Sequence, residues 1–517
     1  MKRRRFLHRA SHLLAAPGLI GGFGFSLPEQ KALNSLLKFA SESDRVLVII
    51  YLEGGNDGLN TVVPLDQLSP LSRVRQQVFI PEERLLPLNN TQVGLHPSLA
   101  GFRSLFNEGR LGIIQSVGYP DQNFSHFRST DIWMSASDSK QLVTSGWSGR
   151  YLSNQFPGYP ESYPNEEFTD PLAVEIGYGA SLVFQGPEAA MGMVVSNPDS
   201  FYDLLENIEE PAPDTLAGEK LRYVRLIAKQ SELYGEVVKQ AASKITQQKS
   251  YPDGNALADQ LKIVARLIAG GLKTPLYMVR LGGFDTHSNQ VDQDNHTQGT
   301  HANLLRKLDG AVSSFMNDLE FLGVDDRVVG MTFSEFGRRI VSNASSGTDH
   351  GAAAPMFVFG NEVIGGVLGT NPEISRRATY EDNLDMQYDF RQIYASMLQQ
   401  WLGSSESNNA EVFSREFDTV PIIGESYLSN LEASDLLKVY PNPVTGPAEI
   451  EFITNGSPLE VDLIDLQGRK LQGLYSGNPV AGFHRITWNP GKLNKGQYLV
   501  VLKGLDKPAV QKVIVLQ

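Results

Sequence analysis

The sequence predicts an α/β protein with a mostly parallel sheet between helices on both faces, and a small all-β sandwich behind it. Three observations predict this. Continuous β-branched apolar runs end in glycine-rich polar tips, and stretches of helical periodicity separate those runs. Beyond residue 402 the pattern becomes short alternating strands and turns.

Composition sets the outer limits. With 517 residues, 41% hydrophobic and 20% charged, the chain is long enough for a large core and more than one domain. Acids outnumber bases by 58 to 45, for a net charge of -13, whereas a nucleic-acid binder needs a basic face to meet phosphates. There is no cysteine, which excludes disulfides, thiolate metal sites and cysteine nucleophiles. Any metal must therefore be held by His, Asp, Glu or backbone oxygen.

Residues 1–43 read as an export signal and linker. A basic cluster, Lys2-Arg-Arg-Arg5, precedes a short Gly- and Ala-rich apolar run from Leu13 to Phe25. That run is short for a bilayer span and contains Pro17, so a removable signal fits better than an anchor, and the mature protein is expected to have no transmembrane span. Arg-Arg-x-Phe-Leu resembles the twin-arginine signal, which exports proteins already folded. An ordinary secretion signal is the alternative.

Arg45 to Leu52 is a β-branched run closed by Glu53-Gly-Gly-Asn-Asp-Gly58, as a central parallel strand would be. A helical segment near Pro97 to Glu108 leads to a second strand, Leu111 to Val117. Residues 148–213, rich in Pro, Tyr, Asn and Gly, read as long loops and small strands that shape a substrate entrance. Leu216 to Gln247 and Ala256 to Ala269 have helical spacing. Leu276 to Leu281, Arg327 to Phe333 and Met356 to Phe359 are further strands, with Leu304 to Leu322 as the crossover helix between the first two. Residues 44–402 thus read as one catalytic or binding domain. Residues 403–435 read as a polar connector, with Ile422 to Leu431 packing back on that domain. Residues 436–517 carry strands at Ala448 to Ile453, Leu459 to Asp465, His484 to Trp488, Tyr498 to Lys503 and Ala509 to Val515, with glycines in the turns.

The strand tips concentrate the chemistry. Asp57 follows the first strand's carboxyl end, where open α/β sheets place their sites; it is either a metal carboxylate or the cap of the next helix. Thr61 is a second contact, a nucleophile or a local cap. Asp285 and His287 are two apart, which in extended backbone points both to one face and suits a divalent ion. Of the histidines that follow, His301 at a helix entrance is a better ligand candidate than the exposed His296. Glu335 and Arg338 are either a structural ion pair, or a metal ligand or base with an anion clamp at the start of a helix. Asp349 and His350 close the series. Ser125 and His126 cannot share one face of a strand; Ser125 is either a metal-activated nucleophile or the cap of a helix from Phe127 to Met134. Asp389 and Arg391 read as a structural ion pair on the last helix.

Two resemblances add to this. Tyr440-Pro-Asn-Pro443, Leu463-Ile-Asp-Leu-Gln-Gly-Arg469, Gly496-Gln-Tyr498 and Lys512-Val-Ile514 resemble the sorting domain of the type IX secretion system of Bacteroidetes. That implies passage across the outer membrane to the cell surface or medium; an adhesive or spacer module is the alternative. Gly54 to Thr61, Ser125-His-Phe127, Gly283 to His287, Ser334 to Arg338 and Gly347 to Gly351 look like one bacterial family, domain of unknown function 1501. The likeness covers roughly residues 45–402, and the family is similar in turn to the alkaline phosphatase and sulfatase superfamily.

The superfamily likeness implies an alkaline-phosphatase-like α/β/α sandwich that hydrolyses phosphate or sulfate esters with metal. By position, Asp57 matches the first-strand carboxylate, Ser125 the nucleophile, Asp285 and His287 the first metal's pair, and His350 its closing histidine. Two departures narrow the expectation. The Asp–His spacing is two instead of four, and Glu335-Phe336 stands where Asp-His would hold a second ion. The expectation is an exported one-ion hydrolase of sulfate or phosphate esters, zinc ahead of calcium, magnesium or manganese, with a polysaccharide ester as one possible substrate. The rival is a non-catalytic surface protein that binds glycan or a partner through the same cleft.

Overall fold

The computed structural model describes residues 44–177, 179–196, 233–424 and most of 437–516. The expected export signal, the helical segment before residue 233 and the end of the connector lie outside the described residues.

Seven strands of the large sheet come from the first 360 residues: β1 (Val46–Glu53), β2 (Leu111–Gly118), β3 (Ala173–Ile176), β4 (Met193–Val195), β5 (Leu276–Gly282), β6 (Val328–Phe333) and, after a two-stranded ribbon, β9 (Ala354–Phe359). The ribbon is β7 (Arg338–Ser342) paired antiparallel with β8 (Thr348–His350). An eighth strand, β10 (Gly366–Leu368), completes this part. The order across the sheet is β10-β2-β9-β6-β1-β5-β3-β4. β1 is parallel to both β5 and β6. Only β9 runs against its two neighbours, β2 and β6. The expected parallel character therefore holds with one reversal.

Alternation along β1 explains the layers. Val46, Val48, Ile50 and Leu52 pack into one core cluster, and Leu47, Ile49 and Tyr51 into another. A strand buried on both faces reads as a continuous apolar run because each face needs its own apolar set. The first cluster is covered by α1 (Ala100–Asn107), α4 (Ala256–Ala269) and α5 (Thr300–Leu322), and the second by α2 (His126–Ser135), α3 (Trp147–Gln155) and α6 (Phe390–Ser396). α5 leads from β5 to β6, which flank β1. Asp389 caps α6 through a capping box and pairs with Arg391 at 2.6 Å, as the expected structural pair.

Three local expectations change. Arg338 begins a strand, not a helix, because Gly337 and Gly351 let β7 and β8 run close together. The polar connector carries a helix at Glu406–Phe413, while Ile422 and Ile423 are buried against the main core as expected. Residues 148–196 contain α3 as well as loops and the short strands β3 and β4.

Beyond residue 436 lie β11 (Leu437–Tyr440), β12 (Ala448–Thr454), β13 (Leu459–Ile464), β14 (Lys470–Gly477), β15 (Gly482–Trp488), β16 (Gly496–Lys503) and β17 (Ala509–Val515). β14-β13-β16-β17 form one antiparallel sheet. β11-β12-β15 form the facing sheet and continue into the large one, where β15 pairs with β10. One apolar cluster fills the space between them, and Ile364 of the main domain belongs to it.

Candidate metal centre

The carboxyl ends of β1, β5 and β6, the β7–β8 ribbon and the start of α2 converge. The tip after β1 can approach the tip after β5 because residue 54 is glycine. Its φ is +120°, and any side chain there would collide with the backbone nitrogen of Asp285. The freed Gly54 and Gly55 N–H groups donate to the Glu335 carboxylate, at 2.9 Å for Gly54 to Oε1 and 3.3 Å for Gly55 to Oε2. Arg338, buried beneath, ties the tips together. It donates to the carbonyls of Gly54, Gly55, Phe284 and Thr348, and to Asp285 Oδ1 at 2.9 Å.

Three imidazoles are held so that their Nε2 atoms face Asp285. His126 Nδ1 donates to Glu335 Oε1 at 2.8 Å, His350 Nδ1 to the Phe124 carbonyl at 2.7 Å, and His287 Nδ1 to Asp349 Oδ1 at 2.9 Å. Each of those partners can only accept, so each Nδ1 carries a proton, and a ring in that tautomer keeps its lone pair at Nε2. Those lone pairs point inward. His126 Nε2 lies 3.5 Å from Asp285 Oδ2, and His350 Nε2 and His287 Nε2 each lie 3.2 Å from Oδ1. His287 and His350 bring their Nε2 atoms to 2.9 Å of each other.

Acceptors crowded this way repel unless a cation or shared proton lies among them. His126, Asp285 and His350 offer ligand atoms that all lie within 4.8 Å of one another. An ion bound tetrahedrally at about 2.0–2.1 Å holds its ligand atoms about 3.3–3.4 Å apart. The 3.2 Å from His350 Nε2 to Oδ1 and the 3.5 Å from His126 Nε2 to Oδ2 lie near that spacing, so two imidazoles and a carboxylate presenting both oxygens suit one ion. His287 stands beside this group, its Nε2 as close to Asp285 Oδ1 as that of His350. Partial burial pushes the Asp285 carboxyl up, but the Arg338 guanidinium bonded to it outweighs that, and its pKa falls to about 2. Burial lowers the His350 pKa, which keeps the imidazole neutral and able to ligate.

The expected site residues divide. Asp285 and His350 are in the cluster, and His287 adjoins it. Glu335 and Asp349 stand one step behind as acceptors for His126 and His287. Asp57 is not brought in. Its carboxylate pairs with Arg75, accepts from Gln290 Nε2 at 2.5 Å and is buried, so a guanidinium instead of an ion neutralises it. Burial pushes Asp57 up, but Arg75 and the other cations around it outweigh that and hold its pKa down. Thr61 is also not brought in; its hydroxyl donates to Asn56 Oδ1 and the Asp57 carbonyl beneath the tip. His301 is buried elsewhere, with Nε2 donating to Asn56 Oδ1 at 3.0 Å, and burial lowers its pKa to about 4. Arg338 cannot clamp a ligand, because backbone carbonyls and Asp285 occupy its guanidinium. Ser125 is exposed at the N-cap of α2 and makes no side-chain capping bond.

His126 was not among the candidates read from the sequence. The available signal was its place: it opens a helix just past the carboxyl end of β2, the same edge that carries the other tips.

Two family models match the chain. Residues 195–418 match "Protein of unknown function (DUF1501)", and residues 438–516 match the secretion system C-terminal sorting domain. The DUF1501 match contains Asp285, His287, Glu335 and His350, whereas Asp57 and His126 precede it. No curated protein matches the chain.

Among solved structures, the chain is similar to an alkaline phosphatase superfamily protein from Vibrio parahaemolyticus, at 9% identity and a TM-score of 0.34, covering 90% of this chain and 83% of that one. It is also similar to a Bacteroides thetaiotaomicron protein from a glycosaminoglycan-metabolism locus, at 10% identity and a TM-score of 0.36, covering 90% and 89%. A third likeness is to PorZ, a surface component of the type-IX secretion system of Porphyromonas gingivalis, at 23% identity and a TM-score of 0.14, covering 16% of this chain and 12% of that one. The sorting domain indicates export to the cell surface or beyond. No helix among the described residues is long and apolar enough to cross a membrane.

Proposed function

We propose that this protein is an exported, metal-dependent hydrolase of sulfate or phosphate esters, acting on ester groups carried by polysaccharide. The observation that carries the reading is the convergence of imidazole lone pairs on Asp285, with an N–H acceptor assigned to every Nδ1. His126, Asp285 and His350 would hold one ion, and zinc suits two imidazoles and a carboxylate better than calcium or magnesium, which take oxygen ligands. When bound, such an ion supplies Lewis-acid polarisation of the ester and a lowered pKa for a hydroxyl or water beside it.

The chain's own residues do the rest. Glu335, the Phe124 carbonyl and Asp349 keep the three rings in one tautomer and orientation, as partners behind metal ligands do elsewhere. Ser125 supplies the nucleophile in this reading: it precedes the ligand His126, is exposed, and leaves its hydroxyl uncommitted to the helix cap. Its oxygen would attack sulfur or phosphorus, the bond to the sugar oxygen would break, and water would then release sulfate or phosphate.

The test is metal content and turnover of the full chain on aryl sulfate and aryl phosphate panels. One ion per chain is expected, with turnover lost on Asp285→Ala together with the ion, and lost on Ser125→Ala with the ion retained. Metal-replete protein that turns over none of the panel while binding glycan would establish the non-catalytic rival instead.

A further inference from the structure

We propose that the site accepts esters bearing a single negative charge, sulfate monoesters and phosphodiesters alike, and discriminates against phosphate monoesters. This rests on the metal-hydrolase reading above and concerns the same site.

The basis is that the cations around the cluster are already committed. Arg338 is buried, with four backbone carbonyls and Asp285 on its N–H groups. Arg339 donates to the carbonyls of His350 and Glu381 and lies over the Phe124 ring, 5.1 Å from its centroid. Arg128, two residues past His126, donates to the carbonyls of Ser139, Asp138 and Gln141. Arg75 is buried against Asp57. Lys140 pairs with Asp121 at 2.8 Å. Of these cations only Arg338 faces the site, and its N–H groups are taken by Asp285 and by backbone carbonyls.

The charges that do face the centre are unequal. Asp285, Glu335 and Asp349 supply three carboxylates and Arg338 one guanidinium, so the residues sum to two negative charges. One divalent ion cancels that sum and leaves nothing over. A sulfate monoester or a phosphodiester then brings one uncompensated charge. A phosphate monoester, whose second pKa is about 6, brings two above neutral pH. Both of its charges would fall beside the half-exposed carboxylates of Asp285 and Asp349, and among the described residues the Arg338 fork is already taken.

The experiment compares phenyl sulfate, methyl phenyl phosphate and phenyl phosphate as ligands of the zinc-loaded full chain at about pH 8. Binding is read by calorimetry, and the nitrophenyl counterparts report turnover. The methyl group removes one charge from the phosphate while leaving its tetrahedral centre, so the two phosphates isolate charge from shape, and the sulfate separates the two monoanion sources. Phenyl phosphate is expected to bind at least about tenfold more weakly than methyl phenyl phosphate, a gap of about 1.4 kcal/mol. Asp349→Asn, at a half-exposed position, removes one of the three carboxylate charges and is expected to narrow that gap by at least about threefold. Phenyl phosphate binding as tightly as its methyl ester, or a gap unmoved by Asp349→Asn, overturns the inference and leaves the hydrolase reading standing. If metal binds but no ester is bound or turned over, both fall.

Discussion

Glu335 is the residue whose reading changed most. Its position after β6 suggested a metal ligand or base, yet both oxygens are taken by Gly54 and Gly55 N–H groups and by His126 Nδ1. It is a positioning residue for His126. Glu335→Gln, whose amide can no longer accept on both sides, is expected to weaken metal affinity about 10- to 100-fold while leaving the ligands in place. A chelator competition titration measures that; unchanged affinity would remove Glu335 from the site.

His301 makes a different point at the same scale. Burial lowers it from 6.5 to about 4, and lowers the neighbouring His96 to about 3. Both therefore bind fewer protons folded than unfolded, so their effect is absent above pH 6.5 and stability is lost as pH falls from there towards 4. For His301 the full loss is about 3 kcal/mol as an order of magnitude. Urea unfolding across that window is expected to show a shallower acid slope in His301→Gln, by up to one proton.

At the scale of elements, the apolar strands were legible because their two buried faces each demand side chains of one kind. The ribbon was not. Arg338 three residues after Glu335 has helical spacing, and what makes it a strand is Gly337 and Gly351 bringing β7 and β8 together over the other tips. Nothing in the local sequence states that Arg338 will reach carbonyls nearly three hundred residues away, at Gly54 and Gly55. Its role is to bind three tips into one platform. Arg338→Leu leaves those carbonyls and Asp285 unpaired, and is expected to cost about 3–5 kcal/mol. Denaturant unfolding checks this, and a loss under about 1 kcal/mol would show that the tips hold without it.

For the whole molecule, the described residues from Arg45 onward form one unit. β15 extends the large sheet beyond β10, and Arg485 donates to the Gly369 carbonyl while pairing with Glu451. Truncation after residue 436 is expected to retain one metal ion per chain, since all ligands lie ahead of it. It also bares the β10 edge and Ile364, so self-association should rise. Metal stoichiometry and light scattering test both parts; loss of the ion would mean that the module supports the centre.

The sequence by itself determined the strands, their helical covers, the carboxyl-edge tips and the sorting module, because each depends on local periodicity or on a contiguous motif. Only the tertiary structure decided which tips come together. Asp57 is claimed by Arg75, His301 faces Asn56, and His126 enters from the start of α2. Ligation depends on which lone pairs converge within a few ångströms, and residues from three distant stretches meet there only after the sheet has formed.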